Sequence, residues 1–295
     1  MDKKNRTIKS TSRKITFTVA FVIFVLYSIY ILYFLLFAVL LAIKPSSQQF
    51  ILDKMNGKLF SIPSNPTLAN FTGAFKYFKI GEHTYPEMVF HSLWRSAGAT
   101  FIGWMSTAMV TYILVFYRNK FTGFVYLLGF FLSTLPLYGA GPAEYSLFSH
   151  LHLINSPLIL IQNITLYGTS FFYMYAFWKA VSWEYAEAAY VDGAGDYTVF
   201  FRILFPMAVP SMMALFVMNF ITQWNDYEST LLYMTEFPNL SYALYAYENN
   251  TKYNSQLGKP AYFAGMLISV LPILTLFIVF QNTIMEKVYL GGLKG

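Results

Sequence analysis

The chain has 295 residues, of which 56% are hydrophobic and only 12% charged, with a formal net charge of +6. A water-soluble domain carries about 25% charged residues, so half that share, together with 30 Phe and 24 Tyr, makes lipid the solvent for much of this protein. The excess of base does not mark a nucleic-acid binder, because Lys3, Lys4, Arg6, Lys9, Arg13 and Lys14 all precede the first apolar run, as in a positive-inside anchor; the absence of cysteine excludes disulfides, thiolate metal sites and a Cys nucleophile.

In chain order, the apolar run Ile15 to Ile43 exceeds the roughly 7–15-residue apolar core of a signal peptide, and no small-residue cleavage site follows it. It is expected to be a retained transmembrane helix (15–43) behind a cytoplasmic basic segment (1–14). Residues 44–90 form an external segment, where Pro63, Pro66 and Pro86 argue against one long helix. Asn65 to Phe71, followed by Phe75, Tyr77 and Phe78, predicts a short helix at the interface, where aromatic rings prefer to sit. Span two is expected from about His91 to Phe116, ending in the basic stop Arg118-Asn119-Lys120, and span three from about Phe121 to Tyr138. Residues 143–156 are external and carry no Lys or Arg. Span four runs from about Pro157 to Trp178, span five from about Ile203 to Met234, and span six from about Ala261 to Ile284, with an external loop over 235–259 and a cytoplasmic tail, 285–295. The fold expected is an all-α integral membrane protein with six transmembrane helices and both termini in the cytoplasm. A β-barrel is excluded because no strand period is present.

Between spans four and five lies an amphipathic, acid-capped stretch, Trp183 to Pro210. Ser182 can cap a helix whose first turns carry Glu184 and Glu187, where carboxylates suit the positive end of the dipole. Ala186, Ala188 and Ala189 favour helix and permit close approach by another surface, and Asp192-Gly193 stops it. A second helix should start near Asp196 and carry Phe200, Phe201 and Ile203, with Pro206 bending or beginning span five. Physically, this stretch is either a surface hairpin that touches something at the membrane face or an amphipathic connector lying on lipid headgroups.

The spacing Glu187-Ala188-Ala189, three residues, Gly193, nine residues, Ile203, one residue, Phe205-Pro206 resembles the EAA motif of bacterial ABC importer permeases, with Phe205 where Leu is usual. The extended Glu187 to Ala194 and Gln223-Trp224-Asn225-Asp226 are similar to the carbohydrate-uptake, maltose-type branch of that family, as are Leu271-Pro272-Ile273 and the ending Gly291-Gly292-Leu293-Lys294-Gly295. The resemblance covers the chain from span two to its end and implies the ABC type I importer permease fold in a bacterial plasma membrane. It implies a permease core over 91–284 whose segment 183–202 couples to a cytoplasmic ATPase dimer through Glu187, Ala188, Ala189, Asp192, Gly193 and Ala194. It further implies a tail reaching that ATPase through Gly291, Gly292 and Lys294, a second homologous permease, an extracytoplasmic solute-binding protein and a carbohydrate substrate. ATP and Mg²⁺ would be bound by the ATPase and no cofactor by this chain, which has no G-x-x-x-x-G-K-[ST].

Sugars are held by aromatic faces and neutral hydrogen-bonding groups. Candidates for the substrate path are Asn219, Gln223, Trp224 and Asn225 in span five and Tyr173 in span four, with Tyr167, Tyr175, Gln162, Asn163 and Thr222 near them. Asn219 and Gln223 are four apart and share a helix face. The alternative for each is a hydrogen bond to a neighbouring helix or to the partner permease. Arg95 either snorkels from the outer end of span two or meets a partner. His150 and His152 lack the spacing of a helical metal pair. Import of a charged or peptide-like solute is disfavoured by the lack of charged clusters in spans four to six. An intramembrane enzyme is disfavoured by the lack of an in-span Ser/His pair or paired carboxylates, and a secondary transporter by the lack of duplicated halves.

Overall fold

The computed structural model describes residues 3–135, 141–165, 167–249 and 258–291, with the backbone alone for 3–12, 211 and 283–291. The described chain is mainly helical, and its strands are a two-residue antiparallel pair, β1 (Lys79–Ile80) and β2 (His83–Thr84), which turns at Gly81 with φ +60°. It divides into two compact units, one of residues 1–78 and 251–268, the other of 79–250 and 269–295.

In the first unit, α1 (Lys3–Ala42) contains the apolar segment Arg13–Ala42, whose most apolar 18-residue window has mean hydropathy 2.6 and no buried residue, while Leu41 and Ala42 at its end are buried. A helix apolar on every side belongs in lipid or in a core. Beyond it the chain turns a corner built from polar side chains. Asn70 Nδ2 donates to the carbonyls of Ala42 and Lys44, at 2.7 Å each, which satisfies acceptors that the end of a helix leaves open. Ser46 caps α2 (Ser47–Met55), its hydroxyl accepting from Gln49 N at 3.1 Å. Lys44, wholly buried, donates to Asp53, which also accepts from Gln49 Nε2 at 2.7 Å. The Lys44 ammonium holds the Asp53 carboxyl below its ordinary value. The short helix expected after Asn65 is α3 (Ala69–Tyr77).

In the second unit, α4 (Tyr85–Phe116) starts six residues before the expected His91. Pro86 opens this helix instead of interrupting it, because the first helical turn needs no N–H from it, and Glu87 Oε2 accepts from Thr84 N at 3.3 Å. Asn119 caps α5 (Lys120–Thr134), accepting from Thr122 N at 2.9 Å. Residues 136–140, the expected exit of span three, lie outside the described residues. The segment expected as a plain external loop contains α6 (Gly141–His150).

Span four is not one helix. A 3₁₀ turn (Pro157–Asn163) is followed by a break and then by the twelve-residue α7 (Thr169–Ala180). At about 18 Å, α7 alone is shorter than the hydrocarbon core. Gly168 makes the break at φ +102°, a conformation that costs glycine little.

Next come α8 (Glu184–Val191), α9 (Asp196–Thr198), a π-turn (Val199–Leu204) and α10 (Phe205–Trp224), which ends ten residues before the expected Met234. The loop expected over 235–259 contains the whole of α12 (Leu240–Asn249), preceded by α11 (Glu228–Tyr233) within the expected span five. Finally α13 (Lys259–Gly291) continues as helix into the expected tail. Among the described residues, Arg13–Ala42, Tyr85–Phe116 and Lys259–Asn282 are long and apolar enough to cross a membrane. A fourth span exists if Asp196–Pro210 and Met212–Trp224, bent by 76°, count together.

The core of the second unit lies where α4, α7, α8, the π-turn and α10 meet. Trp104, Ala108, Tyr112 and Val115 recur every three or four residues and so share one face of α4. They join Met174 and Trp178, Val199, Phe200 and Leu204, and Ala208 and Met212. Trp178 is fully buried, and its Nε1 donates to Ala108 O at 3.1 Å, so its one polar atom is satisfied. At the other end of α4, Ser92 Oγ accepts from Leu240 N at 2.8 Å and His91 Nδ1 donates to Pro238 O at 3.0 Å. Arg95 neither snorkels nor waits for a partner chain: it is 8% exposed and donates to Thr230 Oγ1. A single charge inside a bundle is retained where internal acceptors meet it.

Candidate functional site: a presented helix and a polar cavity

The segment after α7 folds largely as its residues predict. Glu184 N donates to Ser182 Oγ at 3.3 Å, and Glu184 and Glu187 occupy the first turn of α8. Gly193 ends it at φ +81°, with Ala194 N donating to Ala189 O at 2.9 Å. The helical period then splits the motif. Ala186 and Ala189 are buried in the core that holds Trp178 and Phe200, whereas Glu184, Tyr185, Glu187, Ala188, Val191, Asp192 and Gly193 are exposed. Ala189 is therefore not available to an outside surface, which corrects the expectation that both alanines of the motif face a partner. Its small side chain lets α8 lie close to its own core. Ala188, one residue away, is the alanine that faces out, and Ala194 is half-buried. Val191 (87% exposed) and Tyr197 (81%) stand at the tip of the hairpin.

Two ties hold α8. At its start Trp183 stacks on Phe116 with centroids 4.8 Å apart and 28° between planes. Near its end Tyr190 OH donates to Asp196 Oδ1 at 2.7 Å, and Tyr117 OH donates to the same oxygen at 2.9 Å. Burial first, and then the neighbouring Asp196 carboxylate, push the Tyr190 phenol well above its ordinary value. It is therefore a proton donor throughout the physiological range.

The second feature is a cavity of about 280 Å³ at the break in the fourth apolar segment. Gln223 Nε2 donates to Asn163 Oδ1 at 3.0 Å and Asn219 Nδ2 to Ser170 Oγ at 3.4 Å, so the expected shared face of α10 does line one wall. The opposite wall is α4, through Thr100, Gly103 and Thr107. The Thr100 hydroxyl is buried and has no hydrogen-bond partner among the described residues. Gly103 lets the chain pass close by, since a Cβ there would stand 3.0 Å from Asn163 O. No charged side chain lines the cavity.

Three substrate-path candidates lie elsewhere. Trp224 is buried and stacks on Phe220, Asn225 Nδ2 turns back to Ile221 O at 2.8 Å, and Tyr173 is 60% exposed. Each residue turns an α-helix by about 100°, so Trp224 points away from the wall that Asn219 and Gln223 share, and Asn225 lies beyond the end of α10. Thr100, Thr107 and Ser170 were missed by sequence reasoning; small residues at 100, 103 and 107, on one face of α4, were the available signal. In the tail, Gly291 is the last described residue of α13, while Gly292 and Lys294 lie outside the described residues.

Comparison with known proteins follows this geometry. The family model for the binding-protein-dependent transport system inner membrane component matches residues 6–288. The diacetylchitobiose uptake system permease protein of Streptomyces coelicolor is 28% identical over 244 residues, covering 80% of this chain and 77% of the relative. The arabinooligosaccharides transport system permease protein of Halalkalibacterium halodurans is 27% identical (87% and 89% covered), and the trehalose transport system permease protein of Mycobacterium tuberculosis 24% identical (86% and 89%). Among solved structures, a bacterial ABC transporter involved in import of the acidic polysaccharide alginate has the same fold, with TM-score 0.72 at 16% identity over 92% of this chain and 97% of that one.

Proposed function

Because the chain belongs to the family of binding-protein-dependent transport system inner membrane components, we propose that it is a multi-pass permease subunit of an ATP-driven carbohydrate importer, coupled to a cytoplasmic ATPase dimer through the exposed face of α8. The observation that carries this is the split of the motif: Ala186 and Ala189 root α8 in the core, while Glu187, Ala188, Val191 and Asp192 are held outward. A short helix with small and acidic residues outward suits a basic-rimmed cleft on a partner. ATP and Mg²⁺ belong to that partner, and the Gly291, Gly292 and Lys294 tail adds to the same contact. A second, homologous permease completes the pathway, and an extracytoplasmic binding protein delivers the solute.

For the substrate, the cavity between α4, the break and α10 supplies amides and hydroxyls without a charge among its lining residues. Neutral donors and acceptors match sugar hydroxyls, and the names of the relatives support the same class: diacetylchitobiose, arabinooligosaccharides and trehalose. Import of a charged or peptide-like solute would need paired charges here.

Co-purification from detergent tests the coupling face. With Ala188→Arg or Val191→Asp, the ATPase is expected to be lost while the second permease is retained. Retention of the ATPase by both variants would overturn the assignment. Ala189→Arg would not discriminate, because it places a charge in the core.

A further inference from the structure

The exposed face of α8 explains what a partner could grip, but not how a displacement of that short helix reaches the spans. α8 has eight residues and ends in a turn at Gly193, whose φ of +81° is one that glycine adopts at little cost. Its buried face offers two alanine methyls to the core, and such a smooth surface resists sliding weakly, since dispersion contacts are individually small and have no direction. A helix fixed only in this way would tilt when pushed.

The directional element is the cluster at Asp196. One carboxylate oxygen accepts from Tyr190 of α8 and from Tyr117, the residue that ends α4, and the two phenol oxygens are 3.3 Å apart. Three elements thus meet at one acceptor: the end of a span, the presented helix and the strand of chain beyond the Gly193 turn. Charge-assisted bonds of this kind are short and orientation-dependent. On the flank formed by Met109, Ile113 and Phe201, a cavity of about 530 Å³ opens beside Tyr117 and Asp196. On the other side Tyr117 meets Tyr112 edge-on and Tyr190 meets Trp183, each pair with centroids 6.0 Å apart, so ring packing confines the cluster from one side and its hydrogen bonds supply the directional hold. With the Phe116–Trp183 stack at the other end, α8 is fastened to the end of α4 at both of its termini.

We propose that Tyr117, Tyr190 and Asp196 form a latch that makes α8 move as one body with α4, so that they are positioning residues for coupling and not themselves partner contacts. This rests on the coupling function proposed above. None of the three belongs to the motif that prompted that function.

The chain has no cysteine, so a label pair can be placed cleanly with Tyr185→Cys on exposed α8 and Phe101→Cys on exposed α4. The complex, purified with its ATPase and second permease in nanodiscs, is spin-labelled on this chain, and the distance distribution is measured without nucleotide and after trapping with Mg-ATP and vanadate. The latch predicts one narrow distance that is the same in both states. Asp196→Ala and Tyr117→Phe should broaden it by about twofold or more and make it change on trapping, while Asp196→Asn, which keeps an acceptor, should restore most of the narrow distance. An unchanged narrow distribution in both Asp196→Ala and Tyr117→Phe, or equal broadening by Asp196→Asn and Asp196→Ala, would overturn the latch. If the unmodified chain brings down no ATPase, the proposed function fails instead, and the nucleotide-free distances still decide whether the latch holds.

Discussion

The hairpin over 183–202 and the break that ends at Gly168 both interrupt runs of apolar helix, yet they are built in opposite ways. The hairpin is rooted by apolar packing beneath Ala186 and Ala189 and pinned by a charged acceptor, and its polar and apolar tips point outward. At the break, polar groups point inward around a cavity, held by weaker amide and hydroxyl bonds of 3.0 to 3.4 Å, with Thr100 left unsatisfied. On the proposed function, the part that transmits force is the one pinned by a charged acceptor, and the part that meets the solute holds weaker bonds that a sugar hydroxyl can replace.

The contrast can be broken most severely at Trp178. Trp178→Ala should destabilise the second unit by about 3–5 kcal/mol, read as a large fall in thermal stability in detergent together with loss of ATPase co-purification; a fall of only a few tenths of a kcal/mol would mean that the core beneath α8 is not what roots it. Next is Gln223→Leu, which removes the donor to Asn163 Oδ1 while Asn163 Nδ2 keeps its bond to Leu160 O, and should cost about 0.5–1.5 kcal/mol. Its companion Thr100→Val removes a hydroxyl that is already unsatisfied and should leave stability unchanged or slightly raised. Uptake of trehalose, arabinotriose or diacetylchitobiose into vesicles sharpens the comparison: both variants should impair the sugar that is carried, whereas a merely structural cavity would leave Thr100→Val at full activity.

Gly193→Ala comes third. Placing a Cβ at φ +81° should cost about 1–2 kcal/mol, expressed locally as faster amide exchange in α8 while exchange in α4 stays unchanged. The last prediction lies outside both regions, at the Lys44–Asp53 pair, and is read as a pH dependence. The Asp53 pKa is depressed in the folded chain, so the pair's contribution is complete above the ordinary carboxylate value of about 3.9. It is lost as pH falls through the lower folded value. Thermal stability should thus drop below about pH 4 in the native chain, and Asp53→Asn should remove that part of the acid dependence.

Most of the apolar helices were legible because each carries its own signal: length, hydropathy and basic stops. The turn at Gly193 was equally legible, since a local φ requirement selects glycine. Span four misled because continuous hydropathy does not reveal Gly168 at φ +102°, and Pro86 misled because the same residue that breaks a helix interior also suits a first turn. The short helices α2, α6 and α12 carry too weak a period to stand out from the polar segments around them.

By itself the sequence determined a membrane-embedded helical protein, the motif at Glu187 to Gly193 and the family to which it belongs, because these depend on residue order and local periodicity alone. Only tertiary structure decided that Ala189 faces in and Ala188 out, that Arg95 meets Thr230, that Gln223 meets Asn163, and that two tyrosines share one oxygen of Asp196. Those pairings join residues from six to 135 positions apart, and a pattern along the chain does not encode which faces of which helices will touch.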